Sequence, residues 1–205
     1  MNKRSEFIKL RHRIDEAITY GQNQEARTLC DEALHRSQME ERLGEIEYFK
    51  GQVAILDEDY TAAIYHFDRA VKFNPLDGAA YNDRALCMVE LGESEEAFSY
   101  LDKGIEVEPD YPNVYHNKGW LLCKVGRTSE AMPYFEKALK LDPERPVTYE
   151  NLACAYAELH EFSKALELYE KAYVLLKPEY SYIRRQISMA IEAIKDYLRH
   201  KNRLT

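Results

Sequence analysis

No apolar run in this 205-residue chain approaches the ~20 residues that a bilayer-spanning helix needs, so membrane insertion is not expected. The opening stretch, Met1 to Arg13, lacks the continuous apolar core of a secretory signal, and the expected location is cytoplasmic. Cysteine is sparse. Cys30, Cys87, Cys123 and Cys154 fall inside helical patterns with no paired spacing, which argues against both a disulfide framework and a zinc motif. No cofactor and no metal are expected. Clustered base is missing from the body as well. Residues 14–179 hold 17 Lys/Arg against 33 Asp/Glu, which disfavours nucleic acid as a partner, because phosphate contacts need gathered Lys and Arg. Neither a nucleophile elbow, a phosphate loop nor a His-Glu-x-x-His helix occurs. His116, Cys123 and Glu150 superficially offer base, nucleophile and acid, but the first two are merely two turns apart on one helical pattern. An enzyme is not expected.

What the chain does have is a period. Gly51, Ala85, Gly119 and Ala153 are spaced by 34, as are Ala63, Ala97, Ala131 and Ala165. Phe67, Leu101, Phe135 and Tyr169 keep the same step, followed by Ala70, Gly104, Ala138 and Ala172. Pro75, Pro109 and Pro143 close three of the units. Several registers held in step over more than a hundred residues define a repeat array, each unit a pair of amphipathic helices. The two helices of a unit are expected to approach most closely where side chains are smallest, as at Gly119 and Ala131. A single hairpin cannot bury both its faces, so the units must stack.

The expected organisation is one domain over 1–205. It comprises a divergent repeat at 7–43, regular repeats at 44–77, 78–111, 112–145 and 146–179, and a capping helix at 180–203. Ala26 and Ala63 are 37 apart, so about three extra residues lie near Glu40–Leu43, where the second helix is expected to run longer. Turns fall near Asp57–Asp59, Gly92, Gly126 and His160, with Ser94, Thr128 and Ser163 as expected caps. His160 in place of glycine predicts a tighter or strained turn. Pro133 predicts a disturbed first turn. In the final segment Ile183, Ile187, Ala190, Ile191, Ile194 and Leu198 form one apolar stripe, with Arg184, Arg185, Lys195 and Arg199 on the other faces.

The succession of aromatic, small, small, aromatic, small and proline, as in Tyr115, Gly119, Ala131, Phe135, Ala138 and Pro143, resembles the tetratricopeptide repeat family over about 7–179. The resemblance implies an all-α fold, a right-handed α-solenoid whose first helices line a concave groove, and a groove that binds a peptide or a helix of a partner. The helical wheel then supplies the groove residues. The central unit contributes Asn113, His116, Asn117, Trp120, Cys123 and Lys124, the next one Val147, Glu150, Asn151, Cys154 and Glu158. Earlier units contribute Asn82, Asp83 and Leu86, and before those Tyr48, Phe49 and Gln52, a more apolar floor.

Asn117 and Asn151 are 34 apart. An amide side chain donates and accepts at once, which suits a bound peptide backbone. Trp120, the only tryptophan, lies three residues from Asn117 as an aromatic anchor. The lysine-rich clamp that some family members close on acidic tails is not expected, because Tyr48, Asp83 and Glu150 stand among the groove residues. The functional expectation is a non-catalytic module for a protein or peptide partner, with a basic or neutral-apolar segment favoured by the acidic body. The alternative is an adaptor or self-assembling scaffold using its ends or its convex face, where Tyr65, His66, Phe73 and Tyr100 would be displayed. A monomer or weak homo-oligomer is expected.

Overall fold

The computed structural model describes residues 3–202, so both extremities of the expected single domain lie outside the described residues. Every element among them is α-helical. The helices gather into two compact units that meet in sequence at Pro109 and Asp110. The first holds three hairpins: α1 (Lys3–Thr19) with α2 (Asn23–Met39), α3 (Leu43–Leu56) with α4 (Tyr60–Phe73), and α5 (Gly78–Glu90) with α6 (Ser94–Val107). The second holds α7 (Pro112–Lys124) with α8 (Thr128–Leu141), α9 (Pro146–Glu158) with α10 (Phe162–Leu175), and the long α11 (Ser181–Asn202). Within each unit consecutive hairpins pack second helix to next first helix, the arrangement of an α-solenoid.

One turn geometry serves every hairpin. A single residue adopts the left-handed conformation at Gly21, Glu58, Gly92, Gly126 and His160, with φ between 59 and 86°. The following amide reaches back five residues. Gln22 N–H bonds Ala17 O at 2.7 Å, Asp59 bonds Ala54 at 2.9 Å, Glu93 bonds Met88 at 2.9 Å, Arg127 bonds Leu122 at 2.8 Å and Glu161 bonds Tyr156 at 2.9 Å. This closure satisfies carbonyls that the ending helix would otherwise orphan. Glycine enters the conformation freely, whereas Glu58 and His160 carry a β-carbon through it at a cost of about 1–2 kcal/mol each. The turn at His160 therefore has the ordinary shape under strain. The connection from α2 to α3 uses the same device, with Glu41 at φ 53° and Arg42 N–H on Ser37 O at 2.9 Å. The extra residues are thus absorbed as helix, and α2 has 17 residues where α4, α6, α8 and α10 have 14.

This closure also moves the caps. Glu93, Arg127 and Glu161 occupy the N-cap positions of α6, α8 and α10, and none makes a side-chain cap bond. Ser94 and Thr128 come one residue late and Ser163 two, so they do not cap. The Thr128 hydroxyl instead donates to Glu158 Oε2 at 2.8 Å. The aspartates do cap: Ala62 N–H bonds Asp59 Oδ1 at 2.9 Å and Ala80 N–H bonds Asp77 Oδ1 at 3.1 Å. Pro133 lies inside α8, where its ring crowds the carbonyl four residues back. The first turn of α8 closes early, Glu130 N–H to Arg127 O at 3.0 Å, while α4 begins with Ala63 N–H on Asp59 O at 2.9 Å.

The repeated small residues pack as the period requires, but against different partners. Ala63, Ala97, Ala131 and Ala165 are sealed from solvent. The nearest neighbour of Gly119 is an aromatic ring: a β-carbon there would lie 2.9 Å from the Phe135 ring, and one at Gly51 would lie 2.6 Å from the Phe67 ring. Both rings are fully buried. The glycine makes room for a whole phenyl group on the second helix.

In the second unit α11 covers α10 with Ile187, Ile191 and Ile194 buried. Lys195 pairs with Glu170 at 2.9 Å and Arg199 with Asp196 at 2.8 Å on the outside. Arg184 departs from the expected outward set. It donates to the carbonyls of Tyr173 and Leu176 at 3.0 and 2.6 Å and stacks 4.1 Å from the Tyr173 ring, closing the C-terminal end of α10. No helix among the described residues is long and apolar enough to cross a membrane.

Candidate functional site

The groove residues of the first unit form a closed polar network rather than an open floor. Arg11 on α1 spans to two acids, 34 and 66 residues away. Its guanidinium grips Asp77 through two bonds of 2.8 Å and Glu45 through bonds of 3.1 and 2.9 Å, and it stacks 3.6 Å from the Tyr48 ring. Burial pushes the Asp77 carboxyl up, yet the charge and hydrogen bonds of Arg11 hold it below the usual range. Tyr48 turns its hydroxyl to Asp83 Oδ2 at 2.8 Å, joined there by the Gln52 amide, while Asn82 Nδ2 donates to Asp83 Oδ1 at 2.8 Å. Tyr48, Gln52 and Asn82 are buried in these bonds. Phe49 is sealed in the core, tilted against Phe7 at 6.1 Å and edge-on to Tyr48 at 5.3 Å, so it offers no surface to a partner. Asp83 and Leu86 remain partly exposed.

Asp83 occupies the register that Asn117 and Asn151 fill in later repeats, and its neighbours there are neutral donors. Burial pushes its carboxyl up to about 6, with the charge of Asp15 adding to that and Tyr48, Asn82 and Arg11 opposing it. The folded protein therefore keeps this proton at pH values where the unfolded chain, near 3.8, has released it. The contribution of Asp83 to stability is greatest below pH 4 and declines as pH rises through about 6, by roughly 2–3 kcal/mol. Asp83→Asn is expected to remove that decline. The difference in urea-unfolding free energy between wild type and variant should move in the variant's favour between pH 4 and 7; a difference that stays flat contradicts the buried charge.

In the second unit, His116 and Asn151 meet. The Asn151 amide donates to His116 Nε2 at 3.3 Å, which makes Nδ1 the protonated nitrogen that donates to Thr148 Oγ1 at 3.0 Å. The ring is buried, lies 5.9 Å from Phe135, and its pKa falls to about 3 through burial and the charge of Arg145. His116 is thus a neutral hydrogen-bonding group that orients Asn151 rather than an open groove residue.

A cavity of about 310 Å³ opens beside this pair, between α7 and α9, lined by Trp120, Cys123, Lys124, Phe135, Asn151, Cys154, Ala155 and Glu158. Asn117 is half-buried and does not line it. Trp120 is half-buried in the wall, and Lys124 lies over the indole at 4.9 Å. Cys154 Sγ is 3.0 Å from the Tyr169 hydroxyl. Burial pushes the Cys123 thiol up to about 11, so it is a protonated, small wall group at neutral pH. All four cysteines are unpaired, and no three His, Cys, Asp or Glu side chains are placed to hold a metal ion among the described residues.

The helical wheel picks out Trp120, Cys123, Lys124, Asn151, Cys154 and Glu158 around this cavity, Cys154 standing 34 residues after Trp120 in the same register. It misses the hub at Arg11. Ion pairs between residues 66 apart leave no periodic signal in a sequence.

No curated protein matches the sequence. Among solved structures, TTC0263, a thermophilic TPR protein of Thermus thermophilus, superposes with a TM-score of 0.71 at 20% identity, covering 90% of this chain and 98% of that one. MamA gives 0.58 at 18% identity, covering 79% and 93%, and YrrB gives 0.56 at 20%, covering 84% and 88%. Tetratricopeptide repeat models match residues 50–113, 112–145 and 134–167. With the 34-residue period, the helical hairpins and these matches in agreement, the chain belongs to the tetratricopeptide repeat family.

Proposed function

We propose that this protein is a protein-interaction module that holds a peptide or helical segment of a partner against the groove faces of its first helices. The observation that carries the reading is the cavity between α7 and α9, where Trp120 and Asn151 come together on one face. An indole wall and a fixed amide are the pairing that anchors a side chain and satisfies a peptide group beside it. YrrB, which shares the fold, is described as a TPR protein with an unusual peptide-binding site. The acidic body favours basic or neutral partners through steering.

A second reading has an observation of its own. Tyr65, Phe73 and Leu76 are exposed in the first unit, and Arg69 lies 5.8 and 5.9 Å from the Tyr65 and Phe73 rings. That apolar outer face suits an adaptor. His66 and Tyr100 contribute less to it, since His66 is 2.8 Å from Glu47 and Arg84 lies 3.7 Å from the Tyr100 ring. One experiment separates the readings. Affinity capture with wild type and with Trp120→Ala plus Asn117→Ala, both folded by circular dichroism, is expected to lose the specific partner in the variant. Partners retained undiminished by the variant move the contact to the outer face.

A further inference from the structure

Resting on that groove reading, we propose that the cavity between α7 and α9 takes one large apolar or aromatic side chain of the bound segment, and that the neighbouring residue of the segment is a lysine or arginine paired with Glu150. Three features of the second unit point the same way. The first is size. At about 310 Å³ the space is at the lower end of small-ligand pockets, too small for folded structure and ample for one side chain.

The second is the wall. Trp120 supplies aromatic surface above the sealed Phe135 ring, and Cys123 and the exposed Cys154 add thiol sulfur, so much of the wall presents soft, uncharged atoms. Asn151 is the neutral polar group of the lining, between Lys124 and Glu158 at the rim, and its amide nitrogen already donates to His116. Its carbonyl oxygen is the group left to accept a backbone N–H from the segment.

The third is charge. Glu150 lies one turn before Cys154 on α9, on the same helix face. Burial alone pushes its carboxyl up, and no salt bridge or hydrogen bond reaches it among the described residues. A half-buried carboxylate without a partner costs free energy that a ligand cation recovers. Glu158 on the rim adds a second negative charge, bonded to the Thr128 hydroxyl rather than to a cation. The one base at the mouth, Lys124, is an exposed side chain lying on the indole, able to swing aside.

The test uses the whole chain and a random dodecapeptide library displayed on phage. Selected peptides are expected to share one large apolar or aromatic residue adjacent to Lys or Arg. Because Trp120 is the only tryptophan, a synthetic peptide of that consensus without tryptophan should shift the protein's emission as it binds. Glu150→Gln should weaken the peptide about tenfold and leave its norleucine-for-lysine version unaffected. Cys154→Trp fills the cavity and should abolish binding; the position is in register with Trp120, so the helix accommodates an indole there. Cys154→Met, a smaller filling, provides the same reading if the tryptophan variant fails to fold. Binders that are weakened by Asn117→Ala but indifferent to both Cys154 variants, or that carry an acidic consensus, overturn this inference and leave the groove reading standing. A library that yields no binder removes both.

Discussion

Replacing Arg11 with methionine is expected to cost about 3–5 kcal/mol of unfolding free energy. Arg11 is bound in the face that joins α1, α3 and α5, and Asp77, its bidentate partner, is almost completely buried. Removal of the guanidinium leaves Asp77 charged in a site whose burial already works against ionisation. Methionine keeps an unbranched apolar side chain at the position but gives up the guanidinium stacking on Tyr48, so the loss reports that contact together with the charge.

The pH dependence carries the sign. In the wild type the Asp77 carboxyl is held below its ordinary value, so its contribution is present above the carboxylate range and lost as pH falls through its folded pKa. In the variant only the backbone amides of Ala79 and Ala80 still oppose burial, the carboxyl shifts up, and the deficit should be greatest at neutral pH and shrink toward pH 4. The double variant Arg11→Met with Asp77→Asn removes both charges and keeps a capping residue on α5, so it should recover much of the loss. Equilibrium urea unfolding of wild type and these variants at pH 7 and pH 4.5 measures all of this. A loss below about 1 kcal/mol for the single variant would mean that the pair behaves as a solvated surface bridge.

Gly51→Ala is expected to cost about 1–3 kcal/mol, although alanine is the better helix former by roughly 1 kcal/mol. The added carbon would sit 2.6 and 2.8 Å from two atoms of a fully buried phenyl ring. The repeat array contains its own control. Ala153 stands opposite the register of Tyr169, but where the first helix has Ala85 the second carries Leu101 in place of an aromatic ring. Gly51→Ala combined with Phe67→Leu imports that pairing into the second hairpin. It should be more stable than the sum of its single variants by about 0.5–3 kcal/mol of coupling. Thermal and urea unfolding of the four proteins closes the cycle, and strict additivity would show that the Phe67 ring yields without cost.

Much of the fold is legible in the linear sequence because it rests on local and periodic features. Ala63, Ala97, Ala131 and Ala165 mark the buried line of the second helices, and Gly92 and Gly126 mark turns that need a left-handed residue. The length of α2 follows from the slip between Ala26 and Ala63. The caps are harder to place. The amide that closes each hairpin turn sits one or two residues ahead of Ser94, Thr128 and Ser163, and residue type alone does not reveal that offset.

On the groove faces the wheel separates one side of a helix from the other but says nothing of what the next helix brings. Phe49 faces Phe7, Tyr48 spends its hydroxyl on Asp83, and His116 is buried under Thr148 and Asn151, although the wheel puts all three with Trp120. By itself the sequence determined the period, the hairpins, the turns and the cap, since these depend on propensity and on side-chain size at fixed spacing. Only the tertiary structure decided which polar groups are consumed internally, that Arg11 ties together residues up to 66 apart, and that Trp120 and Cys154 wall one cavity. The reason is physical: hydrogen bonds and cavities belong to neighbours in space, and neighbours on separate helices impose no spacing on the chain.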